Sequence, residues 1–79
     1  MSQEQDNKIR YTVVLSQPGE SIWSSFRFKN LNQAIVYSEA ALKEPNRIRS
    51  AMIYAIDKND SHVMVGSIGR DLKWKEAKP

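Results

Sequence analysis

By residue type, proton-transfer chemistry could come from His62, the single histidine, and from Asp57 and Asp60 close before it. Acid–base catalysis needs such a group within hydrogen-bond reach of a nucleophile or of the substrate proton it moves. The chain has no cysteine. No serine stands with His62 and a carboxylate in an arrangement that reads as a nucleophile–base pair. Asp57 and Asp60 belong to the polar stretch around Lys58-Asn59-Asp60-Ser61, where carboxylates commonly shape a turn. The run Gly66-Ser67-Ile68-Gly69 is too short and too poor in glycine to cradle a phosphate in the Walker or dinucleotide manner. Zinc takes about four His, Cys or carboxylate ligands, and one histidine without cysteine does not supply them. The expectation is a non-enzymatic protein with no metal and no cofactor.

A second set of residues suits binding. Arg10, Trp23, Arg27, Lys29, Arg47 and Arg49 combine cations with an aromatic ring. Cations neutralise phosphates and a ring can stack on a base, which is what single-stranded nucleic acid requires. The balance of 12 Lys and Arg against 9 Asp and Glu, a net charge of +3, permits nucleic acid or an acidic protein as partner without demanding either. The aromatic signature of an RNA-recognition motif is missing.

The elements that must position these groups follow from periodicity. At 79 residues the chain has room for one core. Residues 1–7 carry no apolar side chain after Met1 and are expected to be a disordered lead-in to a domain over 8–69, with 70–79 a charged tail. From Ile9 to Ser16 apolar and polar residues alternate, which predicts a strand. Pro18-Gly19 signals a tight turn of type II, because proline presets φ and glycine accepts a positive one. Alternation resumes from Ile22 to Lys29 and completes a hairpin. Asn30 is a good helix N-cap with Gln33 as its reciprocal partner. Leu31, Ala34, Ile35, Ser38, Ala41 and Leu42 recur at helical spacing, and Pro45 stops the helix. Arg47 to Asp57 and His62 to Ile68 read as the third and fourth strands.

The expected fold is α+β, in the order β-β-α-β-β: an antiparallel four-stranded sheet with one helix packed on one face. A lone helix leaves the other face for solvent, a partner or the tail. If Tyr11, Val13, Leu15, Phe26 and Phe28 face the helix, then Arg10, Trp23, Arg27 and Lys29 face away. Arg47 and Arg49 are expected on the same outward parity, with Ala51 and Ile53. All six candidates would then lie close together. Val14, Ala51, Ile53, Val63 and Val65 would form an apolar patch beside them, and an apolar patch rimmed by charge outlines a protein-binding surface. A free sheet edge can also accept a strand, from another protein or from a second copy of this chain as a homodimer.

The run Phe26-Arg27-Phe28-Lys29-Asn30-Leu31-Asn32-Gln33-Ala34-Ile35 is a strand followed at once by a capped helix, which continues through Tyr37-Ser38-Glu39-Ala40 and returns into a strand. Over roughly residues 22–57 this resembles small accessory proteins of tailed bacteriophages. Among them are the T-even phage antitoxins that block host RNase toxins and the phage inhibitor of host RNA polymerase. The resemblance is of topology and carries no motif residue across. It implies a stoichiometric inhibitor that occludes a host protein, a nuclease toxin or a polymerase, with RNA or DNA contact allowed. The alternative is a stand-alone nucleic-acid-binding protein using the open basic face. No apolar run approaches the roughly 20 residues that cross a bilayer, and the N-terminus lacks a secretory signal. The expected place is the cytoplasm, that of the host cell if the protein is phage-encoded, with no membrane contact.

Overall fold

The computed structural model describes residues 9–24 and 27–77. The expected lead-in over 1–7 and the expected inward position of Phe26 lie outside the described residues. The elements are β1 (Arg10–Gln17), β2 (Glu20–Trp23), α1 (Leu31–Lys43), β3 (Ser50–Ile56), β4 (His62–Gly69) and β5 (Trp74–Glu76). The strands form one antiparallel sheet in the order β2-β1-β3-β4-β5. The α+β class and the β-β-α-β-β order therefore hold, but the sheet has five strands and not four.

Local chemistry acts where the residues place it. Gly19 has φ +80°, the value a type II turn demands after Pro18, and Gln17 pairs directly with Glu20. Asn30 caps α1 by accepting from the Gln33 amide at 2.8 Å. The Gln33 side chain reaches back one residue beyond the cap and accepts from the Lys29 amide at 3.3 Å. The helix buries Ala34, Ser38 and Leu42, each four residues after the last, and the Ser38 hydroxyl donates to the Ala34 carbonyl at 2.8 Å. Those residues meet Val13 and Leu15 of β1, Ala51 and Ile53 of β3 and Ile68 of β4 in the core.

Two departures follow from long-range pairing. The second expected strand is interrupted. Val14 pairs with Trp23, so an unbroken register would set position 26 opposite Tyr11, yet Phe28 stands there and exchanges backbone hydrogen bonds with it at 2.8 and 2.9 Å. Two extra residues are thus accommodated between β2 and Phe28. Because two is one full strand period, Phe28 keeps its expected face and packs on the core against Tyr37, ring centroids 5.1 Å apart.

The second departure is in the expected tail. The chain turns at Leu72, φ +62°, whose amide donates to the Gly69 carbonyl, and β5 then pairs with β4. The Trp74 ring lies over Gly66 so closely that a Cβ there would sit 2.2 Å from it. Gly66 is the residue that lets this ring seal the core beside Ile68. The sheet edges are consequently β2 and β5, four and three residues long, and β4 is paired on both sides.

Candidate binding face

In a paired sheet, residues opposite one another share a face. Val13 pairs with Ile53 and Leu15 with Ala51, so Ala51 and Ile53 point to the helix, and both are fully buried. This corrects their expected outward position. The apolar patch built from Ala51, Ile53, Val14, Val63 and Val65 does not exist: Val65 packs on the helix-side core and Val63 shares the helix-side parity through its pairing with Ala55. The third strand is apolar on both faces, so alternation alone did not decide which face met α1.

The open face carries Met52, Tyr54 and Ile56 of β3, with Thr12 and Val14 of β1, Trp23 of β2, and His62, Met64 and Ser67 of β4. Trp23 is outward as expected, with 55 % of its surface exposed. Its ring stacks on Tyr54, centroids 5.9 Å apart and planes 27° apart, and His62 meets it edge-on at 6.2 Å. Trp23 and Tyr54 belong to strands on either side of β1, so their rings meet above it. The rings shield Thr12 and Val14, which are buried on a face that no helix among the described residues covers. The Thr12 hydroxyl lies 3.1 Å from that of Ser24, which also accepts from the Val13 amide.

His62 is held by its backbone turn. Its Nδ1 lies 3.0 Å from the Asp60 carbonyl oxygen, and the Asp57 carboxylate accepts from the Asn59 and Ser61 amides at 2.8 and 3.0 Å. Asp57 is thereby engaged in the turn. No group of three or more His, Cys, Asp or Glu suited to a metal occurs among the described residues.

The six candidate residues do not converge. Arg10 pairs with Ile56, and Arg27 forms an ion pair of 3.5 Å with Asp60 in the β3–β4 turn, so both belong to the His62 end of the sheet. Lys29 follows Phe28 just before α1, exposed. Arg47 and Arg49 stand at the opposite end, where the Arg49 amide donates to the Ser16 carbonyl at 2.8 Å. Ser16 is six residue steps along β1 from Arg10, about 20 Å of strand. Arg47 and Arg49 line a cavity of about 360 Å³ with Pro18, Asn46, Ile48 and Arg70.

Sequence reasoning missed Tyr54, His62 and Lys75 as members of the face. Lys75 arrives with β5, opposite Ser67. The strand positions on the open face carry cations, Arg10 and Lys75, and no carboxylate. Asp60 sits at the corner turn, paired with Arg27.

No protein-family model, curated protein or solved structure matches the chain. No helix among the described residues is long and apolar enough to cross a membrane.

Proposed function

We propose that this protein acts by binding and not by catalysis, and that the open sheet face takes single-stranded nucleic acid. The carrying observation is the Trp23–Tyr54–His62 cluster on a face whose strand positions hold cations and no acid. The outer face of Trp23 is the stacking surface for a base, Arg10 and Arg27 neutralise phosphates on its side of the sheet, and Lys75 on the opposite edge strand takes one further along the nucleic acid. Stacking of a base on an aromatic side chain is worth about 1–3 kcal/mol and tolerates any sequence.

A second reading keeps the same face but exchanges the partner. Met64, 37 % exposed, extends the surface around Trp23 with apolar area, which suits a protein contact. On that reading the protein is an occluding inhibitor of a nucleic-acid-handling enzyme, in line with the phage-protein resemblance.

Titrating the protein with short single-stranded RNA and DNA oligonucleotides at several salt concentrations separates the two. Nucleic-acid binding quenches tryptophan fluorescence in the wild type, is lost in Trp23→Ala, and weakens with salt at a log–log slope of roughly −0.7 per phosphate contacted. Absence of binding at low salt, together with nuclease-resistant capture of one specific enzyme, would replace this proposal with the inhibitor.

A further inference from the structure

The cavity at the far end of the sheet stands apart from the aromatic face. It lies among the β1–β2 turn, the loop between α1 and β3, and the residue that follows β4. Three of its six lining residues are arginines, Arg47, Arg49 and Arg70, and no lining residue is acidic. Among the described residues the arginine in an ion pair is Arg27, at the other end. Like charges gather at a cost, and nothing in the lining offsets it.

Arg70 is fixed in place. Its guanidinium donates to the Glu44 carbonyl at 3.1 Å, to Asn46 Oδ1 at 3.4 Å, and to the Ile48 carbonyl. Asn46 is itself held, with Nδ2 donating to the Ala41 carbonyl at 3.0 Å and Oδ1 accepting from the Ile48 amide at 3.0 Å. A guanidinium has five N–H donors, so three acceptors leave Arg70 two more to offer. The helix C-terminus beside it contributes only about half a negative charge, far short of three guanidinium groups. The lining itself, three arginines and no acid, keeps a positive surplus around a pre-oriented donor.

We propose that this cavity is a phosphate site: Arg70 is the fixed donor, Arg47 and Arg49 close on the group from the loop, and Pro18 and Ile48 wall it. Guanidinium forks match phosphate oxygens two at a time, and a phosphate monoester brings enough charge and oxygens for three of them. A carboxylate carries a single charge and leaves the surplus standing. The phosphate comes either from a free ion or nucleotide, or from the 5′ end of a nucleic acid.

The test is an amide-resolved NMR titration of the full chain with inorganic phosphate, with acetate as control, followed by a nucleoside 5′-monophosphate. Phosphate should shift the amides of Asn46 to Arg49 and Arg70 along one saturating curve, with acetate much weaker. The double variant Arg47→Gln/Arg49→Gln keeps Arg70 and its backbone bonds and should weaken phosphate about tenfold or more. Its unchanged thermal midpoint would show that folding is intact. A 5′-phosphorylated oligonucleotide that binds more tightly than its 5′-hydroxyl twin, with the advantage lost in the double variant, assigns the phosphate to a strand end. Saturation by the monophosphate without that advantage assigns it to a small ligand. Shifts spread over all surface cations with no common midpoint, or a double variant that binds phosphate as the wild type does, would overturn the site. Trp23→Ala leaves this readout unmoved, so the two proposals fail separately.

Discussion

The two faces of this sheet are both buried at their centres, by different means. On the helix side Val13, Ile53 and Ile68 are sealed by a separate element, and each is fully inaccessible. On the open side Thr12, Val14 and Ile56 are 5 %, 3 % and 3 % exposed although no helix among the described residues lies over them. Over Thr12 and Val14 the sheet supplies its own cover, with Trp23 and Tyr54 bridging above β1. A covering helix hides its own inner side chains, whereas a covering ring leaves its outer surface to solvent. The helix side is thus suited to stability and the open side to contact, and the same Trp23 ring protects what lies under it and presents what lies above it.

Four substitutions test that division. The largest effect is expected from Ile53→Ala on the helix side, a loss of about 2–5 kcal/mol in denaturant unfolding. A small domain has little stability to lose, so this variant should be largely unfolded at elevated temperature. Gly66→Val attacks the seal formed by Trp74. The ring must leave its place, at a cost of about 1–3 kcal/mol, and the near-ultraviolet circular dichroism of the indole should change with it. Trp23→Ala tests the opposite face. Oligonucleotide affinity should fall by about 1–3 kcal/mol per stacked base. Stability should fall less than in Ile53→Ala, because the ring is more than half exposed. If Trp23→Ala proves as destabilising as Ile53→Ala, the two faces do not divide the work. Asp60→Asn should produce the smallest effect, under about 1 kcal/mol in unfolding, since exposed ion pairs contribute little. It frees Arg27 from its partner, so oligonucleotide affinity should rise slightly at low salt. An unchanged affinity would place Arg27 outside the contact.

Much of the fold was legible because it rests on contacts within a few residues. The Pro18-Gly19 turn needs only its own φ angles, and the Asn30 cap only the amide of Gln33. The stripe through Ala34, Ser38 and Leu42 repeats at helical spacing in plain view. The candidate face was legible only in part. Trp23 was recognisable as an outward aromatic from its strand parity, and the structure leaves it outward. Arg47 and Arg49 were grouped with Arg10 and Arg27 by a parity that also put Ala51 and Ile53 outward; those two face the helix, β3 starts only at Ser50, and parity sets no position along a strand. The charged segment after Arg70 gave no strand signal. Three residues are too few for a period, and the Trp74 ring declares its role only once Gly66 is beneath it.

The amino-acid sequence by itself determined the class of fold, the order of its first elements, the start and stop of the helix and the hairpin turn, because each is decided by torsional preferences and hydrogen bonds among near neighbours. Tertiary structure alone decided which side of β3 meets the helix, the recruitment of Trp74–Glu76 as a fifth strand, the meeting of Trp23 with Tyr54 and His62, and the parting of the arginines to opposite ends. Those outcomes depend on register between strands distant in the chain. A strand with apolar residues on both sides takes its inward face from its partner.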